Sequence, residues 1–205
     1  EVSYKQVINI ALPIAMAMFV PQLNLITNSI FLGHHSEESL AIASITGVYY
    51  LVFAGIGFGL NNGLQTLISR RAGENRPEEI GKIFTQGVFI ALIVAAFGIM
   101  VTQFITPFIL KATLSSEQAH KSIDFLRIRI LGLPFLYIYQ LRNALLVGIN
   151  RSKLLIIGTL AEALSNVFFD YTLIFGKLGF PAMGFNGAAV ASVIAEFTGM
   201  EPDVD

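Results

Sequence analysis

The sequence predicts an all-α membrane protein with about six transmembrane helices, and three observations support this. Apolar residues make up 54% of the 205 residues and charged residues only 13%, whereas about a quarter of the residues of a soluble domain are charged. The mean hydropathy is +0.68. The charged residues lie mostly in links between apolar runs that are long enough to cross roughly 30 Å of hydrocarbon. Residues 1–200 are therefore predicted to form one helix bundle.

The composition also argues against several classes of function. A net charge of -1 gives no reason to expect a nucleic-acid partner. With no cysteine, the chain has no thiol for catalysis, for a disulfide or for a thiolate metal site. The histidines lie in links, and no Ser/His or Asp/Asp pair stands out in an apolar run. We therefore expect neither an enzyme, nor a metal site, nor a cofactor other than a coupling H⁺ or Na⁺.

The first apolar run, at about 6–33, is predicted to be a kinked transmembrane helix. Pro13 and Pro21 each remove one backbone hydrogen bond from such a helix. Asn24 and Asn28 share a face with Pro21, so that a freed carbonyl and two amides can meet at one cavity. Alternatively, the two amides only hold neighbouring helices together.

The second run, at about 40–69, contains Gly55, Gly59 and Gly63 at intervals of four, with Gly57 between them. Small residues at this spacing let two helix backbones approach closely in lipid, so this stripe predicts a tight helix contact. The link that follows, residues 70–82, is the most basic of the chain. By the positive-inside rule this link is predicted to be cytoplasmic.

The third and fourth runs are predicted to be scaffold helices. The third, at about 83–105, is mostly aliphatic and aromatic. The fourth has its apolar core at about 130–148 and is expected to kink at Pro134. We interpret Arg127 and Arg129, which precede this core, as side chains that extend to the outer membrane interface.

The fifth run, at about 154–175, combines an apolar span with a polar stripe. Thr159, Glu162, Asn166 and Asp170 follow one another at helical spacing and share one face. Carboxylates within a membrane are costly unless they face a bundle interior or an aqueous cavity. The stripe therefore predicts a cavity wall, although partners on other helices that serve packing alone remain the alternative.

The sixth run begins near Gly184 and has a face of small residues at intervals of four, which should pack closely on a neighbour. These residues are Gly187, Ala191, Ala195 and Gly199. Glu196 lies near the predicted middle of the membrane. Residues 201–205 form an acidic tail, which leads us to expect either a fragment of a longer protein or a tail that replaces the natural continuation. The alternation of basic and non-basic links places the N-terminus in the cytoplasm of an inner or plasma membrane protein.

Five stretches, in this order, carry a resemblance to a known family. They are Leu12 with Pro13, residues 28–33 (NSIFLG), residues 63–73 (GLQTLISRRAG), residues 166–176 (NVFFDYTLIFG) and residues 184–191 (GFNGAAVA). Together they resemble the first half of the multidrug and toxic compound extrusion family of secondary transporters. The resemblance implies about twelve spans in two six-helix lobes, of which this chain would supply the N-terminal one. It also implies export of organic cations or other amphipathic compounds in exchange for H⁺ or Na⁺.

The resemblance also implies a set of coupling residues. Members of the family usually carry an acid at the position of Asn28, and an amide there cannot take up a proton. Asn166 and Asp170 match the family's polar pair in the fifth span. We therefore expect Asp170 to titrate or to coordinate the cation, with Asn166 and Asn28 as neutral oxygen donors. Glu162 and Glu196 are second candidates for the same role.

For the organic substrate we expect polar and aromatic contacts in the cleft, which would come from Gln22, Asn24, Tyr137 and Tyr139. The expected partners are this small molecule, the lipid bilayer and a C-terminal lobe of the same protein. Two other interpretations of the function remain open. One is a related flippase of lipid-linked saccharides, whose cavity should be more cationic, and the other is a membrane fragment that does not transport.

Overall fold

The computed structural model describes residues 4–200, except for the side chains of residues 20–25, and within this range it is helical without a strand. The helices are Tyr4–His35 (α1), Glu37–Gly73 (α2), Pro77–Met100 (α3), Thr106–Thr113 (α4), Ser116–Arg129 (α5), Leu133–Gly148 (α6), Leu155–Phe175 (α7) and Phe185–Met200 (α8). Four stretches of the described residues are long and apolar enough to cross a membrane. They are Glu37–Gly73, Pro77–Thr113, Ser116–Gly148 and Ser152–Phe175. The predicted all-α membrane architecture is confirmed, whereas the predicted tail at 201–205 lies outside the described residues.

Two membrane-length stretches contain short changes of helix type. A π-helical segment, Val101–Ile105, continues α3 into α4. A 3₁₀ segment, Ile130–Gly132, joins α5 to α6. The fourth span therefore begins well before the predicted apolar core. Pro134 lies in the first turn of α6, where a missing N–H is tolerated, so the change of helix type precedes it.

The small face of α8 packs closely against neighbouring helices, as predicted. Gly187, Ala191, Ala195 and Gly199 are all buried. A Cβ added at Gly187 would lie 2.7 Å from the backbone carbonyl carbon and oxygen of Leu173 in α7. At this point two helix backbones touch, so α7 and α8 form a tight pair.

The predicted glycine contact in α2 is wrong. Nothing among the described residues comes within 4 Å of a Cβ added at Gly55, Gly59 or Gly63. The close contact lies at Gly57, where an added Cβ would be 2.6 Å from the ring of Tyr137. The reason is that the face of α2 that packs against α6 is the one that accommodates this ring. The glycine stripe lies on another side of the helix.

The main apolar core lies between α2, α3 and α6. Its fully buried members are Ile68, Ala91, Ala95, Ile130, Leu133 and Ala144. The opposite face of the third span is strongly exposed, with Phe104 at 70% and Phe108 at 77% of their full accessible area. Such large exposed rings suit contact with lipid, so the third span is a scaffold helix at the periphery of the bundle.

A buried ion pair joins α5 to α8. Two nitrogens of Arg129 donate to the two carboxylate oxygens of Glu196, at 2.9 Å for Nη1 and 2.6 Å for Nη2. The guanidinium also lies 3.7 Å from the centre of the Tyr50 ring, and the hydroxyl of Tyr50 donates to Glu196 at 3.3 Å. Only 14% of the Arg129 side chain and 4% of the Glu196 side chain are exposed.

This ion pair corrects the interpretation of Arg129 as an arginine at the membrane interface. Arg129 ends α5, which begins at Ser116, and at about 1.5 Å per residue this places it roughly 20 Å along the helical stretch. A side chain at that depth must find a partner within the bundle. Gly132 provides the space, because a Cβ there would overlap with Glu196 and lie 3.1 Å from Arg129 Nη1.

We predict that Gly187→Ala destabilises the full-length protein by about 1–3 kcal/mol, since the new methyl group would press on the backbone of α7. Gly81→Ala is the matched control, because nothing lies within 4 Å of its added Cβ and alanine favours a helix. Thermal unfolding in detergent measures both. Equal melting temperatures for the two variants would contradict the tight α7–α8 contact.

We also predict that Arg129→Met destabilises the protein by about 3–5 kcal/mol, because the buried carboxylate of Glu196 would lose its partner. The double variant Arg129→Met/Glu196→Leu removes both charges and should recover most of this loss. Thermal unfolding of the single and double variants tests the pairing. A double variant that is less stable than Arg129→Met would show that the two residues do not compensate each other.

Candidate functional site

A cavity of about 670 Å³ lies between α1, α2, α6, α7 and α8. Its apolar lining includes Ile14, Met18, Leu51 and Phe58. Its polar lining consists of the amides Asn28, Asn61, Asn62, Gln65, Gln140, Asn143 and Asn166, together with Glu162, Ser192, Tyr50, Tyr139 and the Arg129–Glu196 pair. The cavity is thus large enough for a small organic molecule and is rich in hydrogen-bonding groups.

The polar stripe of α7 divides between the cavity and the helix interfaces. Glu162 and Asn166 line the cavity. Thr159 is buried and shares a hydrogen bond of 3.0 Å with the hydroxyl of Tyr139 in α6. Asp170 is fully buried and is not among the residues that line the cavity in the described part of the chain. The stripe therefore forms a cavity wall over only part of its length.

Asp170 lies one helical turn beyond Asn166, in a helix that packs against both α1 and α8. Neither of its carboxylate oxygens has a hydrogen-bond partner among the described side chains and backbone, and the same is true of Asn166 Oδ1. Asp170 is thus a carboxyl group inside the bundle with free acceptor capacity, which a proton or a small cation can use.

Glu162 is held at the cavity by small and polar neighbours. A Cβ added at Gly199 of α8 would lie 3.0 Å from Glu162 Cβ, so the absence of a side chain there leaves room for Glu162. Glu162, Asn143 and Tyr139 all line the cavity. The oxygen Oε2 of Glu162 has no partner in the described part of the structure. It is thus a buried acceptor without a donor, on a residue that lines the cavity.

Four further amide oxygens at the cavity share this property. The oxygens of Asn28, Asn61, Gln140 and Asn143 are buried and have no hydrogen-bond partner among the described residues. These residues come from α1, α2 and α6, so amide side chains line the cavity from several sides. Within residues 4–200, no group of three or more histidine, aspartate or glutamate side chains is placed to hold a metal ion.

Arg129 neutralises one of the acids of the site. It is paired with Glu196 at the cavity wall. This ion pair was not predicted from the sequence. The available signal was Glu196 itself, since a carboxylate deep in a membrane helix needs a cationic partner, and Arg129 precedes a glycine that leaves space.

The residues predicted to contact substrate have different positions. Tyr139 lines the cavity. Tyr137 does not, which corrects that expectation: it is 1% exposed, and its hydroxyl group donates to the carbonyl of Phe53 at 2.8 Å. The reason is that its ring fills the space at Gly57. The side chains of Gln22 and Asn24 lie outside the described residues.

Comparison with known sequences identifies the family. The family model MatE matches residues 13–172. A probable multidrug resistance protein NorM from Synechocystis is 27% identical over 199 residues, which cover 94% of this chain and 42% of the relative. A protein of the same name from Thermotoga maritima is 26% identical, over 95% of this chain and 42% of the relative. A protein of the same name from Bacillus cereus is 29% identical, over 85% of this chain and 40% of the relative.

Solved structures agree in fold. An outward-facing multidrug resistance MATE family transporter of the MOP superfamily superposes with a TM-score of 0.87 at 19% identity, over 96% of this chain and 43% of that structure. A MOP superfamily transporter from Pyrococcus furiosus gives the same values. The chain thus spans about two fifths of the length of the proteins it matches, as an N-terminal half would. Since the family model covers most of its residues, this chain belongs to the MatE family of multidrug and toxic compound extrusion proteins.

Proposed function

We propose that this chain is the N-terminal lobe of a secondary antiporter that exports organic cations or other amphipathic compounds in exchange for H⁺ or Na⁺. The observation that carries the proposal is Asp170, a fully buried carboxyl group whose two oxygens lack partners among the described residues. An unpaired carboxylate inside a membrane protein is costly, so a proton or a cation that neutralises it is strongly favoured. This is the property that a coupling residue requires.

Asp170 can affect the substrate without touching it. Asn166 separates it from the cavity by one helical turn. Two unit charges about 10 Å apart interact by about 1.7 kcal/mol at an effective dielectric constant of about 20, which is more than a tenfold change in affinity. Neutralisation of Asp170 therefore weakens the binding of an organic cation in the cavity, and binding of that cation opposes neutralisation equally.

The neutral amides have a supporting role. Asn28 of α1 and Asn166 of α7 both line the cavity and offer unpartnered oxygens. They supply hydrogen bonds or oxygen ligands but no titrating group, so Asp170 is the residue whose charge changes. Glu162 and Glu196 differ from it, because Glu162 faces the cavity and Glu196 is neutralised by Arg129.

Transport also requires a second lobe. A bundle that spans about two fifths of its relatives supplies one wall of a central cleft, and a C-terminal lobe of the same protein supplies the other. Rocking of the two lobes then exposes the cavity to each side of the membrane in turn. A flippase for lipid-linked saccharides is a weaker candidate, since unpartnered carboxylate and amide oxygens are poor ligands for an anionic diphosphate.

We predict that Asp170→Asn abolishes gradient-driven export. The full-length protein in liposomes should expel a fluorescent organic cation when a proton or sodium gradient is imposed, and the effective gradient identifies the ion. The coupled export rate of the variant should be at least about tenfold lower than that of the unchanged protein, because an amide does not change charge. Asp124→Asn, at an exposed position of α5, is the matched control. Full coupled export by Asp170→Asn would remove Asp170 from the coupling role.

We also predict the orientation of the lobe. Because the chain contains no cysteine, single cysteines can report on sidedness once the C-terminal half is also cysteine-free. Glu78→Cys, in the first turn of α3 next to the link after α2, should react with an impermeant maleimide only after cell lysis. Lys177→Cys, in the link after α7, should react in intact cells. Both positions are exposed. The reverse pattern would invert the proposed topology, with the N-terminus outside.

A further inference from the structure

A second cavity, of about 480 Å³, lies between the start of α1 and the link from α6 to α7, and we call it the link cavity. Its polar lining includes the amides Gln6, Asn9 and Asn150 and the cations Arg151 and Lys153. No aspartate or glutamate of the described residues lines it. Its volume is within the range of roughly 300–1,000 Å³ that is usual for ligand sites, and its charge favours an anion.

The link that carries the two cations is held in one conformation by backbone hydrogen bonds. Asn150 has a left-handed φ of 61°, as is common for the residue just past the end of a helix. Its N–H donates to the carbonyl of Val147 at 3.0 Å. The next N–H, that of Arg151, donates to the carbonyl of Leu146 at 2.7 Å. These two bonds close α6, and the chain is helical again from Ser152, so both cations stand on a short, ordered link.

The link cavity lies at the same end of the bundle as the basic link after α2. A Cβ added at Gly148, the last residue of α6, would lie 2.6 Å from the side chain of Ile68 and 3.4 Å from the backbone nitrogen of Ser69. The three arginines of the basic link are already paired, however, with Glu74 and Glu79. Their positive charge is therefore largely compensated within the link.

The cations of the link cavity are not compensated in this way. Arg151 and Lys153 are both exposed, and neither forms an ion pair with a described residue. Lys5, which directly precedes Gln6 at the start of α1, is a third exposed cation on this side of the link cavity. The link cavity is thus the place at this end of the bundle where positive charge is available to an anionic ligand.

The link cavity also lies at the depth of the lipid headgroups. The stretch Ser152–Phe175 has 24 residues, which corresponds to about 36 Å of helix, whereas the hydrocarbon of a bilayer is roughly 30 Å thick. Its first turn therefore lies in the headgroup region. Deeper in the membrane the two neighbouring helices expose apolar side chains, with Ile10 of α1 at 38% and Ile157 of α7 at 56%. A phospholipid has the same order, with phosphate at the interface and acyl chains below it.

We propose that the link cavity binds the phosphate of an anionic phospholipid of the phosphatidylglycerol type, with Arg151 and Lys153 as its charge partners and the amides of Gln6, Asn9 and Asn150 as further hydrogen-bond partners. Each basic side chain near an anionic membrane surface raises the affinity about fivefold. A zwitterionic phospholipid binds less well, because its own ammonium group offsets the phosphate charge. Lipid binding here does not depend on the proposed export function.

Quenching of a single tryptophan by brominated lipid tests the proposal on the full-length protein in bilayers. The chain contains no tryptophan, so Val7→Trp reports on lipid beside the link cavity once the C-terminal half is also tryptophan-free. Val7 is 50% exposed and lies three residues before Ile10, which lines the link cavity. Vesicles of phosphatidylcholine that contain brominated phosphatidylglycerol give the relative affinity of the two lipids. We expect a preference of at least about tenfold for phosphatidylglycerol. Phe104→Trp, at an exposed position of the third span, is the reference and should show none.

A double variant assigns the preference to the two cations. In Arg151→Gln/Lys153→Gln we expect the preference at Val7→Trp to fall to about threefold or less. Arg70→Gln/Lys82→Gln is the matched control, since it removes two positive charges from exposed positions at the same end of the bundle but outside the link cavity. The control should keep the full preference.

Four results would overturn the proposal. A tenfold preference that persists in Arg151→Gln/Lys153→Gln would show that the link cavity does not select the lipid. An equal loss in the control would assign the preference to the general surface charge. Loss of the preference in millimolar inorganic phosphate would indicate a site for a soluble anion. A lower melting temperature of the double variant in phosphatidylcholine alone, with the preference retained, would assign the two cations to a contact with the C-terminal lobe.

Discussion

The cost of charge inside a membrane governs the arrangement of this lobe. Three carboxyl groups, those of Glu162, Asp170 and Glu196, lie within helices that are otherwise apolar. Arg129 neutralises Glu196 through two short hydrogen bonds. That pair needs a bare backbone at Gly132, where a Cβ would overlap with Glu196. The other two carboxyl groups keep free oxygens and are the ones available for function.

In the proposed antiporter, the separation of these two carboxyl groups would give each a distinct task. Glu162 faces the cavity, whereas Asp170 is buried behind Asn166. A coupling ion and an organic molecule at the two positions would not compete for the same atoms. They would interact through the electric field over about one or two helical turns, which still gives an energy above 1 kcal/mol in an environment of low polarity. Coupling of this kind tolerates substrates of varied shape, because it depends on their charge.

Much of this architecture could be predicted from the sequence, because helical period and burial of charge are local signals. The polar stripe of α7 and the small face of α8 follow from spacing alone. The predicted contact at the glycine stripe of α2 was not found, for a physical reason. Spacing shows that residues share a face of a helix, but it does not show which neighbour that face contacts. The close contact is instead between Gly57 and the ring of Tyr137. The partner of Glu196 is 67 residues away in the sequence, and only the packing of α5 on α8 brings it close.

The packing also restricts where the lobe can bend. The apolar core ties α2, α3 and α6 together, and the Arg129–Glu196 pair ties α5 to α8, so these helices should move as one body. Pro134 does not loosen them, since it lies in the first turn of its helix. By contrast, α1 is continuous through Pro13 and Pro21, each of which removes a backbone hydrogen bond from its interior. Because α1 packs against α7, which carries Asp170, bending of α1 is the motion that a charge change at Asp170 is best placed to influence.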